Sequence, residues 1–73
     1  MSEFNVPIDT KRAMLEQRIQ SLNVEGYGHE LLLKQFEAAG AGDSAEAQAS
    51  RDAITAIKAA LQVCTDEMEA GNI

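Results

Sequence analysis

The sequence predicts an all-α fold, an antiparallel hairpin of two long helices joined by a glycine-rich turn. Two observations support this prediction. Apolar or small residues recur at alternating spacings of four and three residues on both sides of the turn, as in helices that pack along one side. Between these two stretches lies Gly40-Ala41-Gly42-Asp43, whose residue types favour a tight turn.

The two recurring stripes predict where the helices touch. They pair in reverse order, so that Phe36 faces Ala47 and Gly26 faces Ile57, and large side chains meet small ones as close packing requires. We call this predicted interface the seam. Its members are Leu15, Ile19, Leu22, Gly26, His29, Leu33 and Phe36 before the turn, and Ala47, Ser50, Ile54, Ile57, Leu61, Cys64 and Met68 after it.

Residues 1–8 are predicted to form an extended N-terminal arm. Phe4, Val6 and Ile8 occupy alternate positions, as in an extended segment with one apolar side. Pro7 also disfavours helical geometry at the residue before it. The arm therefore offers an apolar edge, with Phe4 as its largest side chain, for contact with a partner.

The first helix is predicted over residues 9–39. Asp9 is the expected N-cap, because its carboxylate can accept hydrogen bonds from the free N–H groups of the first turn. Gly26 and Gly28 each weaken a helix by roughly 1 kcal/mol relative to alanine. The sequence therefore leaves two arrangements open, one continuous helix, straight or kinked, and a helix broken at Gly26 to Gly28.

The turn is predicted over residues 40–43 and the second helix over residues 44–70. Asp43, followed three residues later by Glu46, has the spacing of a capping box. A tail over residues 71–73 follows, because glycine next to asparagine is typical of a helix end. The whole chain is one domain.

Size and charge limit what such a hairpin can do. The chain has 73 residues, 12 acidic against 6 basic, and a net charge of −6. Two helices of this size bury little apolar surface, so we expect association into a bundle as a dimer or higher homo-oligomer. The acidic balance repels phosphate backbones, argues against nucleic acid and favours a basic protein partner.

The expected cellular location of the protein rests on two further observations. The single cysteine cannot form an internal disulfide, which is typical of a reducing compartment, and we expect a cytoplasmic protein. No apolar run approaches the roughly 18 residues needed to cross a bilayer, so no membrane association is expected.

No catalytic, cofactor-binding or metal-ligating set of residues stands out, and we do not expect an enzyme. The candidate binding residues are instead apolar or isolated. Outside the seam, the first helix carries Val24, Tyr27 and Leu31, which we expect to join Ala53, Ala56, Ala60 and Val63 of the second helix in an association surface. Phe4, His29 and Arg51 complete the candidates, with His29 able to make assembly sensitive to pH.

These features favour a small interaction protein, an adaptor, an inhibitor or a minor structural component of phage or bacterial accessory type. The plan of an aromatic-bearing arm, a long helix, a loop and a second helix is also similar to phage-encoded hairpin sponges that sequester cyclic nucleotide signals. This similarity rests on Phe4, Pro7 and the pair Ser50-Arg51. It implies a small nucleotide ligand, with Arg51, Lys34 or Lys58 at the phosphates and Tyr27 or Phe4 stacked on a base.

A third class is similar in size, the plasmid copy-control hairpins that pair into a four-helix bundle and bind RNA. That likeness implies RNA binding through a basic face. The six basic residues of this chain are instead spread along it, at Lys11, Arg12, Arg18, Lys34, Arg51 and Lys58.

Overall fold

Two α-helices form an antiparallel hairpin in the computed structural model, which describes residues 4–71 of the chain. They are α1 (Ile8–Ala38) and α2 (Ala45–Ala70). No β-strand occurs within the described residues, so the predicted all-α hairpin is confirmed. Residues 1–3 of the predicted arm and residues 72–73 of the predicted tail lie outside this range.

The start of α1 differs from the prediction. The helix begins at Ile8, directly after Pro7, and the Pro7 carbonyl accepts a hydrogen bond from the Lys11 N–H at 2.9 Å. Asp9 is therefore not the N-cap but a residue of the first turn. Proline suits a helix start because its ring fixes φ near the helical value and its missing N–H leaves no donor unpaired. The predicted arm accordingly loses Ile8 to the helix.

The helix α1 is continuous through both of its glycines, so the predicted alternative of a break there is wrong. A Cβ built on Gly26 would lie 3.5 Å from Ile57 Cγ2, which is ordinary van der Waals contact. This distance also confirms the predicted layer that pairs Gly26 with Ile57. Packing against α2 keeps the helix intact at Gly26, because tertiary contacts outweigh a penalty of roughly 1 kcal/mol.

The end of α1 closes on a positive-φ glycine. Gly40 has φ +76°, its N–H donates to the Glu37 carbonyl at 3.1 Å, and the Ala41 N–H donates to the Phe36 carbonyl at 2.7 Å. This pair of bonds is the Schellman pattern, which satisfies carbonyls left free at a helix end. The glycine at position 40 therefore ends the helix and starts the turn, as the residue types predict.

The N-cap of α2 is Ser44 and not Asp43. Ser44 Oγ accepts a hydrogen bond from the Ala47 N–H at 3.1 Å and donates to the Ala41 carbonyl at 2.7 Å. The predicted capping box is therefore wrong by one residue, because the third helical position is alanine rather than Glu46. Glu46 still lies in the first turn, where a negative charge interacts favourably with the helix dipole.

The seam lies where the sequence predicts it. Every one of its fourteen members is buried or half-buried, and in α1 no other residue is. Only four positions are buried, namely Leu22, Ala47, Ser50 and Cys64, and no large side chain has all of its surface covered. The core of a single hairpin is therefore thin, one layer of side chains between two helices.

Candidate interaction surfaces

The largest apolar side chains away from the seam form a stripe on α1. Val24, Tyr27 and Leu31 are 68%, 60% and 41% exposed. Their spacing of three and four residues places them along one side of the helix, roughly opposite the seam. We call these three residues the outer stripe; they are the α1 residues of the predicted association surface, and the structure shows that they are exposed.

Tyr27 also borders a cleft between the two helices. The cleft has a volume of about 320 Å³, and most of its lining residues are apolar. Asn23, Glu30 and Lys58 stand with Tyr27 among its lining residues, together with Leu22, Gly26, Ile54, Ile57 and Leu61. We call this space the helix cleft. It combines an aromatic ring with one cation and one carboxylate, which suits a small planar ligand.

Arg51 is held by the hairpin itself. One guanidinium nitrogen, Nη2, donates to the Gly42 carbonyl at 2.7 Å, and Nη1 lies 3.4 Å from Gln48 Oε1. The side chain is half-buried against the turn. Its position accounts for an arginine here through turn closure, and binding a phosphate would require the guanidinium to share or give up these contacts.

The other two single candidates occupy different places. His29 is half-buried in the seam, away from the outer stripe. Phe4 is exposed and lines a groove at the open end of the hairpin, with a volume of about 530 Å³. We call it the end groove, and its other lining residues are Val6, Lys11, Met14, Leu15, Glu67, Ala70 and Gly71. The six candidates therefore do not converge on one site.

Along α2, small residues form a separate apolar side. Its members recur at spacings of four and three and are Ala49, Ala53, Ala56, Ala60 and Val63. We call this set the alanine side. Ala56 and Ala60 are each two positions from Lys58, so they lie about 160° around the helix axis from it. Because Lys58 and Tyr27 line the same cleft, the alanine side lies away from Tyr27.

The end groove shows which residues of α1 accompany the alanine side. Met14 and Glu67 line that groove together. Ser21 and Gly28 follow Met14 at intervals of seven residues, and Ala60 and Ala53 precede Glu67 at the same interval. Seven residues are close to two helical turns, so all of them share one side of the hairpin. The outer stripe and the alanine side are thus two surfaces and not the single predicted one.

Sequence reasoning missed two exposed apolar residues of α1, Met14 and Leu32. A signal for them exists, since Met14, Ser21, Gly28 and Leu32 fall on one line of helical spacing beside the seam. The run Leu31-Leu32-Leu33 makes this pattern hard to recognise in the sequence. Three adjacent leucines point in three directions from a helix, and only Leu33 belongs to the seam.

The described part of the chain offers neither a metal site nor a membrane span. Within residues 4–71, no three His, Cys, Asp or Glu side chains are grouped closely enough to hold a metal ion. Neither α1 nor α2 offers a stretch both long and apolar enough to cross a bilayer.

Comparisons with protein-family models, curated proteins and solved structures find no match to this chain.

Proposed function

We propose that this chain is a small non-enzymatic interaction protein that acts through protein-protein contacts and completes its core by association with copies of itself. One observation carries the proposal. Among the described residues, the buried apolar core consists of Leu22, Ala47 and Cys64, while eight large apolar side chains are exposed. Domains of this size usually need a disulfide, a metal or a partner to be stable, and the one cysteine is a free thiol.

The charge distribution supports a basic protein as the further partner. The chain carries a net charge of −6, and neither helix has a basic residue in its last turn. Asp66, Glu67 and Glu69 instead lie near the C-terminal end of α2, where the helix dipole is already negative. A basic surface docked there would relieve this repulsion and associate rapidly. The buried free thiol fits a reducing compartment, and we place the protein in the cytoplasm.

Sedimentation velocity at protein concentrations from about 1 to 200 μM, with thermal unfolding followed in parallel, tests the proposal. We expect the mass to rise from one chain toward two or more, and the melting temperature to rise with it, because association stabilises only the folded hairpin. A cooperative monomer whose melting temperature does not change over this range would overturn the proposal.

The helix cleft favours a second candidate function, capture of a small anionic nucleotide as in the hairpin sponges. Tyr27 offers a stacking face and Lys58 a cation at the same cleft. A cyclic dinucleotide at about 100 μM would then raise the melting temperature of the wild type, and Lys58→Ala would abolish the rise. An unchanged melting temperature of the wild type would exclude this candidate.

RNA binding is the third candidate, and its signature is different. Phosphate contacts release counterions, so affinity for RNA would fall steeply between about 50 and 200 mM salt. Binding of a labelled hairpin RNA that is absent at both salt concentrations would exclude it.

A further inference from the structure

We propose that the outer stripe is a self-association surface, on which the α1 helix of a second copy packs antiparallel, with the two Tyr27 side chains meeting at the two-fold axis. The inference rests on the proposed function and adds the surface, its occupant and the orientation. Three features of the chain carry it, namely exposure, symmetry and charge.

Exposure and size indicate that the stripe is an interface. Val24 and Tyr27 are the two most exposed large apolar residues of the middle of α1, and Leu31 extends them by one turn. The hairpin extends over 49 Å, so α1 of a second copy can lie along the length of this side.

The spacing of the stripe is nearly symmetric about Tyr27. Val24 precedes it by three residues and Leu31 follows it by four. Two antiparallel copies centred there place Val24 of each helix opposite Leu31 of the other and bring the two Tyr27 rings together. A surface that matches itself under a two-fold rotation is what an isologous dimer requires.

Charge explains why the occupant is a second copy and not a basic protein. Continued at helical spacing, the stripe runs through Gln17 and Gln20 at one end and Gln35 and Ala38 at the other, without an acidic residue. In a chain of net charge −6, this uncharged line is where two copies can approach with little repulsion. It offers a basic partner no carboxylate to pair with.

The same arrangement brings opposite charges together at the edge of the contact. Lys34 and Glu16 lie on the same flank of the stripe, at the same angle around α1. The antiparallel pairing sets Lys34 of one copy about 6 Å, measured along the helix axis, from Glu16 of the other. Long side chains bridge such a distance, so each end of the interface gains an ion pair.

A pair of matched substitutions tests the surface. Val24→Glu places a charge on the outer stripe, and Val63→Glu places the same charge on the alanine side, where valine is 60% exposed. We expect Val24→Glu to weaken self-association at least about 100-fold, because a buried unpaired charge is strongly unfavourable, and Val63→Glu to have little effect. The dissociation constants come from sedimentation velocity. The reverse order would overturn the proposal.

Cross-linking tests the orientation. Tyr27 is the only tyrosine, so photo-oxidative tyrosine coupling yields a covalent dimer only if two Tyr27 rings are adjacent. In a Cys64→Ala background, Tyr27→Cys is expected to form a disulfide between copies. Gln20→Cys is not, because antiparallel pairing separates the two Gln20 positions by about 21 Å. Efficient cross-linking of Gln20→Cys would contradict the antiparallel orientation.

These outcomes separate the inference from the function it rests on. A concentration-dependent mass without Tyr27 coupling leaves the proposed function standing and overturns the interface. A monomer at every concentration overturns both. Circular dichroism of each variant shows whether the helices are intact, and a Val24→Ser variant gives a second, uncharged reading of the stripe if Val24→Glu fails to fold.

Discussion

Two adjacent residues, Asp43 and Ser44, could each serve as the N-cap of α2. Both side chains can cap a helix, and Ser44 holds the role, through bonds to Ala47 and Ala41. The serine hydroxyl both donates and accepts, so it joins the turn to the helix, which an acceptor-only carboxylate cannot do. The choice between two adjacent capping residues is thus made by the backbone of the preceding turn.

Ser44→Ala is expected to lower the free energy of unfolding by about 1 kcal/mol, because the Ala47 N–H loses its acceptor. Asp43→Ala, the matched control, is expected to change it by less than about 0.5 kcal/mol, as an exposed surface substitution does. Urea unfolding at a fixed protein concentration measures both. Equal losses would mean that Asp43 shares the capping role.

At the scale of the helix, α1 crosses two glycines without a break, and the seam contact of Gly26 explains how. The position has room for a methyl group, since a Cβ there would lie 3.5 Å from Ile57 Cγ2. Packing therefore does not require glycine at this position.

Gly26→Ala is expected to stabilise the hairpin by up to about 1 kcal/mol, since alanine favours helix and meets no clash. This corresponds to a rise in melting temperature of about 4 to 8 °C at constant protein concentration. Gly40→Ala is the opposing control. At φ +76° an alanine is strained, and a loss of roughly 1 to 2 kcal/mol is expected. A fall in melting temperature for Gly26→Ala would show that the seam is closed to a Cβ.

The seam was predictable from the sequence because a single period determines it. Leu22 and Cys64 must face inward whatever the details of the turn, and both are buried. The first residues of the helices were not predictable in this way. Local hydrogen bonds decide whether Pro7 or Asp9 is the N-cap of α1 and whether Ser44 or Asp43 is the N-cap of α2. The prediction of one surface that contains both Tyr27 and the alanines of α2 also failed. Periodicity shows which residues share a side of one helix, but it does not show on which flank of α1 the second helix places its own sides.

The whole molecule combines a thin core with a strong negative charge. Two hairpins of net charge −6 repel each other at long range, while the proposed contact through the outer stripe is apolar. Salt screens the charge repulsion, because the Debye length falls from about 10 Å at 0.1 M to about 3 Å at 1 M, and it leaves the apolar contact almost unchanged.

Self-association is therefore expected to tighten several-fold as sodium chloride rises from about 20 to 500 mM. Sedimentation velocity at each salt concentration gives the dissociation constant. A basic partner would show the opposite sign, with weaker binding at high salt, because attraction and not repulsion is screened. Self-association that weakens with salt would place ion pairs, and not the apolar stripe, at the centre of the contact.

Cys64 gives the hairpin an internal reporter of its own opening. It is the only thiol of the chain and is 7% exposed in the seam, so an alkylating reagent reaches it when α1 and α2 separate. The rate of modification then measures local opening without any added label. Packing of a second copy on the far side of α1 would slow this reaction without covering the sulfur, because an associated hairpin opens less often. The alkylation rate of Cys64 would thus report whether association of the hairpins reduces the opening of each one.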